Sequence, residues 1–265
     1  MADKILVLGS SGTGKTFSLR NIDPKTSFYI NVDRKSMPFK GWRKKFHIVK
    51  NEAGEPDFMQ SNYTMTSDPN TIWKLIKAIS SKRPEIKFII VDTLTLMMTD
   101  MFMSQISIKG YDKYSNQANT TYQIVKMIDG LREDLTVVFM AHIETENYET
   151  SFFVPGGKLL KEKIKMESNF TTVIQTYVEY SENGFNKYYF LTENSGDNTV
   201  KSPKDMFPGK IVENDLAKVI EHVKAFEEDR EIDPKLSFTD VQGGTKQETE
   251  TIAKSNEESD ENLFI

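Results

Sequence analysis

Short apolar runs alternate with amphipathic segments over the first 141 residues of the chain. Each run is five or six residues long and is bounded by polar residues, proline or glycine, which is typical of buried strands. These runs cover 4–8, 27–32, 86–91 and 136–141. Apolar residues at helical spacing predict helices from the glycine loop to Arg20, over 71–82 and over 120–131. Alternating strands and helices predict an α/β fold with a mainly parallel sheet.

The pattern changes in the last third of the chain. Two β-rich runs, 171–180 and 187–193, are joined by Ser-Glu-Asn-Gly and predict a hairpin, and 214–226 has the pattern of a last helix. The following residues are rich in Glu, Ser and Thr and contain too little apolar surface to fold alone. We therefore expect one domain over 1–226 and a disordered, flexible acidic tail over 227–265.

Composition excludes several classes of protein and of site. The chain has 265 residues, 38% of them hydrophobic and 28% charged, which fits an ordinary globular protein. It contains no cysteine, so neither disulfides nor thiolate metal sites are possible. No segment has the pattern of a signal peptide or a membrane span. We expect a location in the cytoplasm, or in the host cytoplasm if the protein is viral.

The net charge of −5 conceals an asymmetry between the body and the tail. Residues 221–265 contain 13 acidic and 5 basic side chains, a net charge of −8, so residues 1–220 carry −5 minus −8, or +3. A mildly basic body followed by an acidic tail is compatible with a nucleic-acid partner, despite the acidic pI.

The segment after the first predicted strand matches G-x-x-x-x-G-K-[ST] at every fixed position. A loop of this length points successive backbone N–H groups at phosphate oxygens, and the next helix presents its positive end. Lys15 is expected to reach the β- and γ-phosphates of ATP, and the Thr16 hydroxyl to bind Mg²⁺. The predicted nucleotide-binding residues are Gly9, Ser10, Ser11, Gly12, Thr13, Gly14, Lys15 and Thr16.

Asp92 ends the apolar run 88–91 with a carboxylate. At the carboxyl end of a strand beside the phosphate loop, it is expected to hold Mg²⁺ through water. The alternative is that Asp92 only caps the following element. Thr93 is predicted to be a helix cap.

With Asp33 ending the second predicted strand and His142 following the fourth, the chain resembles the RecA-like core of P-loop NTPases. The resemblance implies that Asp33 activates the attacking water, although the family usually has Glu there, and that His142 senses the γ-phosphate. It also implies a homo-oligomer, ring or filament, in which Lys201 and Lys204 contact the neighbouring subunit's γ-phosphate. The alternatives are a turn Asp, a structural His and two solvated lysines.

More narrowly, residues 3–224 resemble phage-type, single-domain RecA-like ATPases that act in single-strand annealing or recombination. The resemblance implies a single-stranded DNA partner, action beside a single-stranded-DNA-binding protein, and two DNA-facing loops near 109–119 and 144–163. Aromatic and lysine side chains there suit base stacking and phosphate contact. The candidates are Tyr111, Lys113, Tyr114, Phe152, Phe153, Lys158 and Lys161. The alternative is that the aromatic rings anchor ordinary loops to the core.

The sequence thus predicts an ATP- and Mg²⁺-dependent, DNA-stimulated ATPase that supports annealing or recombination in phage-type replication or repair. Two alternatives stay open. One is an AAA-type ATPase that acts as a helicase loader or another DNA-processing motor. The other is a small-molecule kinase, which the scattered positions of the six arginines disfavour.

Overall fold

The computed structural model describes residues 1–107, 110, 112–155, 159, 164–182 and 184–239, and the backbone of 241 and 242. The strands are β1 Asp3–Leu8, β2 Ser27–Asn31, β3 Tyr63–Met65, β4 Phe88–Asp92, β5 Thr136–Ala141, β6 Ile143–Glu146, β7 Glu149–Phe152, β8 Thr172–Glu179, β9 Lys187–Leu191, β10 Ile211–Glu213 and β11 Val241–Gln242. The α-helices are α1 Trp42–Lys45, α2 Pro69–Lys82, α3 Leu94–Ser104, α4 Asp112–Lys126 and α5 Leu216–Glu227. Short 3₁₀ helices cover Thr16–Asn21, Met127–Gly130 and Met166–Asn169.

Nine strands form one sheet in the order β11-β10-β9-β8-β1-β5-β4-β2-β3. The six strands from β8 to β3 are parallel, and β9, β10 and β11 extend the sheet antiparallel. β6 and β7 form a separate hairpin. This is the predicted RecA-like α/β fold, in which β5 lies between the strand that leads into the phosphate loop and the strand that ends in Asp92.

The four central strands, β1, β5, β4 and β2, are mostly buried on both faces of the sheet, because they are largely apolar. Successive residues of β1 point to opposite faces, so Leu6 and Leu8 pack with α2, α3 and α4, while Ile5 and Val7 pack with α5. No helix among the described residues has the length and apolar character needed to cross a membrane.

Two helices differ from the predictions. The helix after the phosphate loop is a 3₁₀ helix of six residues, because Asp23-Pro24 leaves room for only a short piece. α4 begins at Asp112 rather than near 120 and therefore includes much of a segment predicted to be a loop. Gln117 explains the early start, since its buried amide donates to the carbonyls of Met98 and Pro155 and fixes this turn against its neighbours.

The chain stays in contact with the body beyond α5. Arg230 pairs with Glu221, and the Phe238 ring packs on His222 with 4.7 Å between ring centroids. These contacts extend past the predicted domain boundary at 226. Residues 243–265, which contain most of the predicted tail's acidic end, lie outside the described residues.

Candidate nucleotide site

A cavity of about 440 Å³ opens at the carboxyl ends of the central parallel strands. The loop after β1 forms its floor, and residues at or just after the ends of β2, β4 and β5 form one side. Phe17 and Tyr188 line the other side, with 6.1 Å between their ring centroids. The cavity therefore spans the sheet edge from β9 to β2, with the phosphate loop between.

The backbone of the phosphate loop is fixed by close packing against β8. A side chain at Gly9 would place its Cβ 1.9 Å from Thr176 Oγ1, so only glycine fits there. The Thr176 hydroxyl also lies 2.6 Å from the Thr13 hydroxyl, inside the loop. Gly14 has a φ of +101°, a conformation that other residues rarely adopt. The predicted cradle thus has the glycine-dependent shape that its motif implies.

The Lys15 side chain lies along this loop and is 6% exposed. Its Nζ donates to the carbonyls of Gly9 at 2.5 Å and Ser10 at 2.8 Å. Burial lowers the pKa of Lys15 to about 8, against the opposing charges of Asp92 and Asp33. The amine is therefore held at the wall of the cavity mainly by backbone oxygens.

Asp92 is contacted by two hydroxyl groups on one carboxylate oxygen. Thr16 Oγ1 donates to Asp92 Oδ2 at 2.6 Å, and the Tyr29 hydroxyl donates to the same oxygen at 2.9 Å. Burial raises the pKa of Asp92, and burial beside Asp92 raises that of Tyr29. A hydroxyl and a carboxylate adjoining a phosphate loop are oxygen donors of the kind that Mg²⁺ prefers. These residues therefore fit the predicted metal.

Asp33 lines the cavity beside Asp92. Thr93 Oγ1 donates to Asp33 Oδ1 at 3.0 Å, and Lys35 Nζ lies 3.6 Å from Asp33 Oδ2. The backbone N–H of Asp33 donates to the Asp92 carbonyl at 3.2 Å, which ties the two strand ends together. Thr93 is also the predicted cap of α3, accepting from the N–H of Leu96.

His142 begins the connection from β5 to the β6–β7 hairpin. Its Nδ1 lies 3.5 Å from Lys15 Nζ, and its backbone N–H donates to Thr95 Oγ1 at 2.8 Å. Burial and the nearby Lys15 charge lower the pKa of His142, which favours the neutral ring. When Nδ1 accepts from the Lys15 ammonium, which only donates, the ring proton lies on Nε2; the ring also makes a backbone hydrogen bond with Gly9.

Several cavity residues gave no signal in the sequence. In the sequence, Tyr29 is one of several residues in an apolar strand. Only the structure shows that its hydroxyl donates to Asp92. Asn31 donates to the Lys35 carbonyl and to the Tyr63 hydroxyl, both at 2.8 Å. Tyr188 reaches the cavity from the C-terminal half of the chain. Long-range pairing places these groups, and no local motif encodes it.

The predicted DNA-facing residues divide into three groups. Phe152 is 3% exposed and packs in the core, so the prediction that its ring faces DNA is wrong, while Phe153 is half-buried beside it. Lys113 and Tyr114 lie on helix α4 rather than in a loop, next to the Phe102 ring. The remaining candidates lie outside the described residues: Tyr111, Lys158 and Lys161.

Lys201 and Lys204 are exposed and do not line the cavity. The backbone of Lys201 exchanges two hydrogen bonds with Val173, near the start of β8. The side chains are therefore displaced from the molecule's own phosphate loop. Their predicted contact with a neighbouring subunit stays a prediction.

Comparison with known proteins gives a family assignment. Among curated proteins, none matches this chain. Among solved structures, a KaiC-like protein from the hyperthermophilic archaeon Pyrococcus horikoshii OT3 aligns with 15% identity and a TM-score of 0.38, over 71% of this chain and 77% of that one. The family described as "AAA domain" matches residues 1–204, well over half of the chain. With its phosphate loop, Asp92 and parallel sheet in place, the chain belongs to the AAA domain family of P-loop ATPases.

Proposed function

We propose that the protein hydrolyses ATP and couples this reaction to single-stranded DNA, in annealing or recombination of the phage type. One observation carries the hydrolytic part. Lys15, Thr16, Asp92, Asp33 and His142 come from four separate segments of the chain, yet all line a single cavity. This arrangement joins a phosphate cradle, a pair of metal-binding oxygens and a second carboxylate.

Each of these residues has a role that its position supports. Lys15 binds the β- and γ-phosphates, and Thr16 and Asp92 would hold Mg²⁺, which supplies positive charge against the phosphates when bound. Asp33 orients the attacking water and accepts its proton as the O–P bond to the γ-phosphate forms and the bond to the ADP oxygen breaks. His142 donates its Nε2–H to the γ-phosphate.

The DNA partner and the oligomer rest on the resemblance of the whole motif order to the phage-type ATPases. The exposed positions of Lys201 and Lys204, away from the molecule's own cavity, suit contact with a second subunit. Action beside a single-stranded-DNA-binding protein is part of the same proposal.

Phosphate release measured with and without single-stranded DNA tests the proposal. We expect Mg²⁺-dependent hydrolysis that rises severalfold with single-stranded DNA and less with duplex. A rate of hydrolysis that does not change with DNA would favour the second candidate, a motor such as a helicase loader. The match to the AAA domain family also suits this candidate. Transfer of phosphate to a metabolite would indicate a kinase, but no arginine is found among the residues described around the cavity.

A further inference from the structure

We propose that the basic segment, residues 34–50, is the surface on which the phosphodiester backbone of single-stranded DNA docks. This inference rests on the proposed function and names the binding surface for its partner. It replaces the two loops suggested by sequence resemblance with a part of the chain that lies beside the nucleotide cavity.

The basic segment concentrates positive charge without a compensating acid. It holds seven Lys or Arg residues and no Asp or Glu: Arg34, Lys35, Lys40, Arg43, Lys44, Lys45 and Lys50. All except Lys45 are exposed. Within the described part of the chain, the ion pair from Lys35 to Asp33 is the one such contact that these residues make. The remaining exposed charges are thus available to phosphate groups.

Trp42 provides an aromatic surface within the basic segment. Its half-buried ring packs on Tyr63 with 5.9 Å between centroids, and the Arg43 guanidinium lies 5.0 Å from its centre. A ring fixed on one side and flanked by a cation suits stacking with a base and contact with the adjoining phosphate.

The basic segment is held in place before any partner binds. Met37 and Phe46 are buried, at 4% and 1% exposure. The Asn62 carboxamide bridges the chain, accepting from the N–H of His47 at 2.9 Å and donating to the Lys45 carbonyl at 2.7 Å. Binding therefore orders only side chains, which keeps its entropic cost low.

The same segment begins in the nucleotide cavity. Lys35, Ser36 and Pro38 line the cavity, and Asn31 holds the Lys35 carbonyl at 2.8 Å. The Lys35 ammonium contacts Asp33, the proposed water-orienting carboxylate. A strand of DNA on the basic segment would thus act directly on the residues around Asp33, which gives DNA stimulation of hydrolysis a physical route.

The described part of the second predicted loop, the β6–β7 hairpin, suits an anionic partner less well than the basic segment does. Phe152 is in the core, and strands β6 and β7 carry three glutamates, Glu144, Glu146 and Glu149, within six residues. Their charge opposes phosphate groups, whereas the basic segment attracts them.

The test compares two triple variants of the full-length chain that remove equal charge. Lys40→Gln/Arg43→Gln/Lys44→Gln neutralises the basic segment, and Lys74→Gln/Lys77→Gln/Lys82→Gln neutralises three exposed lysines of α2, which packs on the other face of the sheet. Binding of a fluorescein-labelled oligothymidine is measured by anisotropy over a range of salt concentrations. We expect the first variant to bind about tenfold or more weakly at low salt. Its log–log salt slope should be shallower by about 2, at about 0.7 per lost contact with a single strand.

The control variant should bind within about twofold of the wild type, and both variants should keep the basal ATPase rate, since none of the six residues lines the cavity. Stimulation by DNA should be lost only in the first variant. Equal binding by the first variant and the wild type, or equal weakening in both variants, would overturn the inference while leaving a DNA-stimulated ATPase intact. A wild-type protein that binds no oligothymidine would overturn the proposed function as well.

Trp42 allows a second, spectroscopic readout. The chain has two tryptophans, so Trp73→Phe leaves Trp42 as the only one. We expect oligothymidine to quench its fluorescence along the same titration curve as the anisotropy. Binding by anisotropy with unchanged Trp42 emission would place the DNA elsewhere.

Discussion

The phosphate loop and the predicted DNA-facing segments differ in how well the sequence predicts their structure. In the loop, fixed spacing places Gly9 and Gly14 where only glycine suits the backbone, and it brings Thr16 onto Asp92. In the segments near 109–119 and 144–163, only composition pointed to a role. There, packing has the larger influence: residues 112–119 of the first segment lie in α4, and the second places Phe152 in the core. A motif whose spacing fixes the backbone conformation predicts the structure. A segment chosen only by its residue types does not, because packing decides where its side chains lie.

The strongest test of the loop is Lys15→Ala. Removing the amine that faces the β- and γ-phosphates should reduce ATP turnover by about a thousandfold or more, because a preorganised charge is lost where charge develops. Turnover and thermal unfolding are measured together. A folded variant with normal turnover would show that another site does the work.

Asp33→Asn tests the carboxylate that we propose orients the attacking water. The amide keeps the shape and the bond from Thr93 but cannot accept a proton, so hydrolysis should fall by about a hundredfold or more while nucleotide binding persists. Binding is followed with a fluorescent ATP analogue and hydrolysis by phosphate release. Near-normal hydrolysis would transfer the role to another carboxylate.

Phe152→Ala tests the other half of the comparison. A buried ring replaced by a methyl group should cost about 3 kcal/mol of unfolding free energy, measured by denaturant titration. Phe153→Ala, at the half-buried neighbour, serves as the matched control and should cost less. If Phe152→Ala instead left stability unchanged and weakened DNA binding, the loop interpretation from the sequence would be restored.

The smallest predicted effect is on stability and comes from Asp3. This residue begins β1, at the end of the strand away from the phosphate loop. Burial, with Glu227 nearby, raises the pKa of Asp3 to about 6, above the value near 3.8 expected in the unfolded chain. The stability contributed by the protonated form is therefore complete below pH 3.8 and lost as the pH rises through 6.

We therefore expect Asp3→Asn to raise the unfolding temperature by a few degrees at pH 7.5, with a smaller gain at pH 5 and no change in ATP turnover. Asp229→Asn, at an exposed position that tolerates asparagine, is the control and should show no such pH dependence. A gain that grows toward pH 5 would contradict the assigned direction.

The sequence predicts the parallel core well because its strands are continuous apolar runs, and β5 matches its predicted bounds at both ends. The phosphate loop and Asp92 are predictable because each stands at the carboxyl end of a buried strand. The loop follows β1, and Asp92 is the last residue of β4. Tyr29, Asn31 and Tyr188 are not predictable, because their roles depend on which strands become neighbours. The early start of α4 is likewise decided by the distant carbonyl of Pro155, which no local propensity contains.

The hydroxyl contact between Thr13 and Thr176 joins positions 163 residues apart, and it has a consequence for how the protein is made. The phosphate loop leaves the ribosome before β8, because the strand that shapes it is synthesised about 163 residues later. A nascent or truncated chain therefore carries the motif without its final conformation. We therefore expect nucleotide binding to require the C-terminal half of the sheet, including β8, as well as the N-terminal strand.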